Sequence, residues 1–117
     1  MGQLTTHVLD TAQGIPAAGV RIVLKRVEGN ERIALDSAIT NRDGRVDQPL
    51  LEGEDFRAGT YELVFDVDEY FRRQPVSVAK PAFLDVVTIR FTVSDAKSHY
   101  HVPLLVSPWA YSTYRGS

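Results

Sequence analysis

Val87-Thr88-Ile89-Arg90-Phe91-Thr92-Val93 alternates apolar and polar side chains at every step. Period two is the signature of a strand with one face buried and the other wet. The same alternation recurs on both sides of this stretch. Val20, Ile22 and Leu24 alternate with Arg21, Val23 and Lys25, and Tyr61, Leu63, Phe65 and Val67 with Glu62, Val64 and Asp66. Tyr100, Val102, Leu104 and Val106 alternate with His101, Pro103, Leu105 and Ser107. Weaker runs cover Leu4 to Asp10 and Arg32 to Thr40. Turn residues separate the runs at Gln13-Gly14-Ile15-Pro16, Glu28-Gly29-Asn30 and Asn41-Arg42-Asp43-Gly44, the last with an Asp-Gly pair. One segment reads as helix: Asp68-Glu69-Tyr70-Phe71-Arg72-Arg73 begins acidic and ends basic, and Pro75 stops it. Many short strands at this spacing predict an all-β sandwich or barrel with one short helix.

The bulk numbers bound the function classes. The chain has 117 residues, so one domain over residues 1–117 is expected, with no repeat and no linker. A chain this short buries a modest share of its surface, and an oligomer would help it. The formal net charge is −2 and the pI about 5.9, which argues against a nucleic-acid partner. There is no cysteine, so disulfides, thiolate metal sites and a cysteine nucleophile are excluded. No apolar run has the length of a membrane span, and Met1-Gly2-Gln3-Leu4 lacks the basic and apolar regions of a secretory signal. A cytoplasmic location is the expectation.

The residues suited to chemistry are few. The three histidines are His7, His99 and His101. Histidine is the default general base, because its unperturbed pKa lies nearest neutrality. Strand parity turns His101 away from Val102 and Leu104, and His7 away from Leu4 and Val8, so both belong to one outer surface of a sandwich. His99 and His101 share a strand face at a spacing that can chelate a metal, but no third ligand stands at an obvious spacing and no metal is expected. Arg45, just after the Asp43-Gly44 turn, stays protonated and can clamp an anionic or carbonyl-rich molecule through two parallel donors. The C-terminus, from Ser107 to Ser117, carries Trp109, Tyr111, Tyr114, Arg115 and several hydroxyls. Most tails are frayed and polar; this one reads as a strand docked against something.

Four segments together resemble the transthyretin-like proteins, and specifically their hydroxyisourate hydrolase branch, along the whole chain. Leu4-Thr5-Thr6-His7-Val8-Leu9-Asp10, with Gly14, Pro16 and Ala17, resembles the opening signature; Thr40-Asn41-Arg42-Asp43-Gly44-Arg45 the central turn; His99-Tyr100-His101-Val102-Pro103-Leu104-Leu105 the penultimate strand. Tyr114-Arg115-Gly116-Ser117 resembles the tetrapeptide that ends the hydrolases. The resemblance implies a two-sheet sandwich of about eight strands with one short helix. It implies four such chains around a central channel, with sites between dimers. It implies a cyclic amide hydrolase acting on 5-hydroxyisourate in urate degradation, with no metal or organic cofactor. His7, Arg45, His101 and Ser117 are the implied catalytic residues; His7, Arg45, Tyr114, Arg115 and Gly116 the implied substrate contacts. Which histidine takes the proton stays open, and His99 is not carried over as catalytic. The alternative in the same fold is a carrier of small aromatic ligands. The carriers lack the histidine at His101 and the Tyr-Arg-Gly-Ser ending, and this chain has both.

Overall fold

The computed structural model describes residues 2–116. The alternating runs form two sheets. One holds β1 (Gln3–Asp10), β2 (Ile15–Pro16), β5 (Leu51–Glu52), β8 (His99–Val106) and β9 (Tyr111–Thr113). Its order is β2-β1-β8-β9, with β5 also paired to β1. The other, in the order β4-β3-β6-β7, holds β3 (Arg21–Glu28), β4 (Glu31–Ile39), β6 (Gly59–Asp66) and β7 (Val86–Val93). The resemblance implied about eight strands; two of the nine here, β2 and β5, are only two residues long. Between β6 and β7 stands the helix α1 (Val67–Arg72), one residue earlier than the sequence pattern placed it.

The inner faces of the sheets make the core. Leu4 and Val8 of β1, Ile22 and Leu24 of β3, Tyr61, Leu63 and Phe65 of β6 and Leu104 of β8 are wholly buried. Each full burial of such a side chain stabilises the fold by roughly 1.5–3 kcal/mol. Thr6 takes an inward position in β1 without an apolar side chain, and its hydroxyl donates to the Val102 carbonyl at 2.6 Å. The helix is capped by Asp66, whose carboxylate accepts from the Glu69 amide at 3.3 Å. It buries Val67, Tyr70 and Phe71, and the Tyr70 hydroxyl donates to buried Asp10 at 2.8 Å. Burial, and then this bond to Asp10, raises the Tyr70 phenol well above its usual range, so it stays a donor. The end of β1 is thereby tied to the helix.

The pairing of β1 with β8 sets which side chains meet on the outer face. The two strands run parallel, with Gln3 opposite His99, Thr5 opposite His101 and His7 opposite Pro103. Because opposed residues share a face, the odd-numbered residues of both strands lie on one side of the sheet. That side is the outer one, since Leu4, Thr6, Val8, Tyr100, Val102 and Leu104 point into the core. The two histidine-bearing strands are distant in sequence and adjacent in space.

The loop after β4 closes onto β1 on the side away from β8, between β5 and β2. Asn41 organises it: its side-chain carbonyl accepts from the Asp43 and Arg45 amides at 2.9 and 3.1 Å. The Val8 amide donates to the Gly44 carbonyl at 2.8 Å. Gly44 has φ +73°, and a Cβ there would lie 2.5 Å from the Val8 carbonyl oxygen. Only glycine fits both constraints. Gly44→Ala is therefore expected to cost about 1–3 kcal/mol of stability and to push Arg45 from its place beside His7. Urea unfolding measures this, and an unchanged midpoint would refute the account of the turn.

Candidate active site

Three chain segments meet on the outer face. β1 supplies Thr5 and His7, β8 supplies His99 and His101, and the Gly44 turn brings Arg45 opposite His7 on the other side of β1. The fourth element is the tail. After β9, which pairs with the end of β8, the chain runs back along that strand to Gly116, which bridges to His101. Its amide donates to the His101 carbonyl at 2.7 Å. These residues, with Tyr114, surround an open cleft of about 480 Å³. That volume is in the range of small-molecule sites.

The histidines are in direct contact. His7 Nδ1 and His101 Nε2 are 2.6 Å apart, and the rings stack with centroids 4.8 Å apart and planes 20° apart. His101 Nδ1 lies 2.8 Å from the Thr5 hydroxyl, and His99 Nε2 lies 2.8 Å from the same oxygen. Burial, and after it the Arg45 guanidinium, lowers His7 below the ordinary histidine value of 6.5. Burial first, then the neighbouring His7, Arg45 and His99, push His101 down to about 4. Both rings are therefore neutral at pH 7, the form that accepts a proton.

These directions fix the sign of the pH effect. A lowered pKa postpones protonation, so a reaction that needs the neutral pair should hold its rate further into acid than an ordinary histidine would allow. The rate should then fall as pH drops from below 6.5 towards 4. Stability should fall over the same window, because the unfolded chain takes up protons that the folded pair refuses. Initial rates and thermal melts across that range test this; an acid midpoint at or above 6.5 would be the wrong result.

The sequence-derived site is largely assembled. His7, Arg45, His101, Tyr114 and Gly116 line the cleft together. Arg115 does not: its guanidinium lies 4.0 Å from the centroid of the Tyr100 ring, and it lines a separate groove with Phe91 and Val102. Alternation along the tail turns it away from its neighbours, so its placement does not support substrate contact. Ser117 lies outside the described residues. Thr5 and His99 also line the cleft, and the sequence pattern assigns neither a role. The signal for Thr5 is its distance of two from His7 on the same strand.

Fold and cleft together define a two-sheet sandwich with a histidine- and arginine-lined cleft on its outer face. Relatives carry the same architecture. A 5-hydroxyisourate hydrolase of Ralstonia nicotianae is 60% identical over the whole of both chains. The structure of Klebsiella pneumoniae 5-hydroxyisourate hydrolase superposes with a TM-score of 0.81 at 33% identity, covering all of both chains. An (S)-allantoin synthase superposes with a TM-score of 0.94 at 44% identity over 99% of this chain, which spans only 44% of that longer one. The chain belongs to the HIUase/Transthyretin family, whose profile matches residues 4–116. No helix among the described residues is long and apolar enough to cross a membrane.

Proposed function

We propose that this chain hydrolyses 5-hydroxyisourate to 5-hydroxy-2-oxo-4-ureido-2,5-dihydro-1H-imidazole-5-carboxylate, a step of urate degradation. The observation that carries the reading is the 2.6 Å contact between two neutral histidines beside an arginine in an open cleft. The Ralstonia and Klebsiella relatives are 5-hydroxyisourate hydrolases, which supports it. A carrier of aromatic ligands has no use for such a pair.

The chemistry balances with these groups. A neutral imidazole takes a proton from water, and the hydroxide attacks the ring carbonyl. Negative charge develops on the carbonyl oxygen, and the Arg45 guanidinium offsets it. The ring C–N bond breaks, the nitrogen takes the proton back from the imidazole, and a carboxylate results. His7 is the outer of the two bases, because its Nδ1 faces His101 while its Nε2 has no partner among the described residues. Tyr114 contributes a phenol at the rim. Ser117 is assigned to the site on the terminal motif alone. Arg115, over Tyr100, anchors the tail rather than the substrate.

The working unit is proposed to be a homotetramer with sites at the dimer–dimer interface. The support is that the cleft opens on an uncovered sheet face, with Trp109, Tyr111 and Tyr114 exposed along the nearby strand and tail. Isolated sheets leave such edges and faces to be covered. Light scattering should give a mass four times that of the chain; a fully active monomer would overturn a shared site. The test of the activity itself is direct. Urate and a urate oxidase generate hydroxyisourate, and the protein should accelerate the decay of its transient absorbance. Decay at the spontaneous rate would end the proposal.

A further inference from the structure

The outer face carries more than a pair. Thr5 and His101 are opposed across the parallel strands, and His99 and His7 stand on the two diagonals. The four side chains therefore form one zigzag row, His99–Thr5–His101–His7, with successive contacts of 2.8, 2.8 and 2.6 Å. The row begins beside Arg45, which bridges to His7, and ends at His99, whose side chain is exposed.

We propose that Thr5 and His99 are positioning residues that complete a proton relay from His7 through His101 to the rim of the cleft. The catalytic consequence rests on the hydrolytic reading of the cleft. Counting hydrogens along the row shows why it acts as a unit. Each contact can hold one hydrogen. The Thr5 hydroxyl has one to give and lone pairs to accept with, and a neutral imidazole has one N–H and one bare nitrogen. The row therefore has two states in which all three bonds run in one direction. In the first, His7 Nδ1–H donates to His101 Nε2, His101 Nδ1–H donates to Thr5, and Thr5 donates to His99 Nε2. His7 Nε2 is then a bare base facing the cleft. In the second, every bond is reversed: His99 Nε2–H donates to Thr5, Thr5 to His101 Nδ1, and His101 Nε2–H to His7 Nδ1. His7 Nε2 then carries a hydrogen and is an acid. A third neutral arrangement, with Thr5 accepting from both His101 Nδ1–H and His99 Nε2–H, also leaves His7 Nε2 bare but gives the row no hydrogen to pass from Thr5 to His99. Every other mixture places two lone pairs or two hydrogens against each other at 2.8 Å or less, which is unfavourable.

Switching between the states moves a proton without moving a heavy atom. When His7 Nε2 takes a proton from water, its Nδ1 proton passes to His101, the His101 Nδ1 proton to Thr5, and the Thr5 proton to His99. The positive charge now sits at the exposed end, away from Arg45. His7 has become the N–H acid that the departing ring nitrogen needs. Return of that proton to the nitrogen draws the row back, and His99 is neutral again. Burial and Arg45 disfavour imidazolium on His7 and His101, which favours passing the charge along the row. Thr5 matters because its hydroxyl couples the tautomer of His101 to His99. In a serine protease the aspartate that orients the catalytic histidine, sets its tautomer and stabilises its imidazolium is worth about 10,000-fold; a neutral hydroxyl is expected to give less.

The test uses histidine-labelled protein and the hydrolysis assay together. Thr5→Val keeps the shape and removes the hydroxyl, Thr5→Ser keeps the hydroxyl, and His99→Ala removes the outer end. Nitrogen-15 shifts of the imidazoles report which nitrogen carries the hydrogen. The expected results are an altered His101 tautomer pattern and a kcat lower by about 10- to 100-fold in Thr5→Val, with KM nearly unchanged. Thr5→Ser should restore both. His99→Ala should also lower kcat, and added imidazole should restore it by taking the proton directly. A wild-type tautomer pattern and kcat in Thr5→Val would overturn the relay, as would failure of Thr5→Ser to restore them. If Thr5→Val does not fold, His99→Ala decides alone: wild-type kcat overturns the relay, and imidazole rescue supports it. If wild-type protein does not hydrolyse hydroxyisourate, the functional reading fails, while the tautomer coupling between Thr5 and His101 is still decided by the spectra.

Discussion

His101→Ala should lower kcat/KM for hydroxyisourate by about 100- to 10,000-fold, the range for loss of a general acid–base group, while the protein stays folded. The ring of His101 lies between the Thr5 hydroxyl and His7, so its removal leaves His7 without the group that orients it and receives its proton. The cost to the fold is small because the ring lies on the outer sheet face. Thr5 and His7 are half-buried, and water can satisfy the atoms that lose a partner. His7→Ala should match this loss. Arg45→Ala should cost about 100- to 1,000-fold, the range for one group stabilising a developing oxyanion. Steady-state kinetics with circular dichroism alongside decides each case. A folded variant with near-normal turnover would remove that residue from the mechanism.

The fold is legible in the sequence because its signal is local. Alternation in Val87 to Val93 or Tyr61 to Val67 needs no knowledge of the rest of the chain, and both runs are strands with their apolar side inward, except that Val67 opens the helix. β2 and β5 are not legible. A two-residue strand has no period, and each exists because its backbone meets an edge of β1. Strand parity places His7 and His101 on the outside, which the burial pattern bears out. It cannot give their contact. That depends on β1 and β8 being parallel neighbours in one register, a long-range fact with no local trace. A slip of one residue would separate the rings. By position alone Arg45 is an ordinary turn arginine; what sets it apart is the docking of its turn on β1, through a glycine that no other residue can replace without a clash. Thr5 escapes notice for a related reason: a threonine on a strand is unremarkable until two imidazoles are found on its single hydroxyl.

Deleting residues 114–117 should abolish hydrolysis while leaving the melting temperature little changed. The described residues of the tail, 114–116, include no buried core residue. What the described part contributes is one backbone bond, from the Gly116 amide to the His101 carbonyl, the stacking of Arg115 on Tyr100, and a long 3.5 Å bond that the Arg115 guanidinium donates to the His99 carbonyl. A single such bond is worth about 0.5–1.5 kcal/mol, far from enough to unfold the sandwich. Its effect on the site is larger, because Gly116 lies against His101 itself. A Cβ at position 116 would come within 2.9 Å of His101 Cδ2 and 3.2 Å of its Cβ. Gly116→Ala must therefore displace either the ring or the tail. The ring is held from both sides by Thr5 and His7, so a shift of it breaks the contacts on which proton transfer depends. Misplacement by about 1 Å costs about 100-fold in rate, and that is the loss expected for Gly116→Ala, with kcat affected more than KM. The larger loss in the truncated protein would come from also removing Tyr114 from the rim. Rates and melts on both variants separate the possibilities. Wild-type turnover in the truncated form would make the tail an ordinary edge segment, and its unfolding would make the tail a structural element. A fully active Gly116→Ala would show that His101 tolerates displacement, which contradicts a rate set by its contacts with Thr5 and His7.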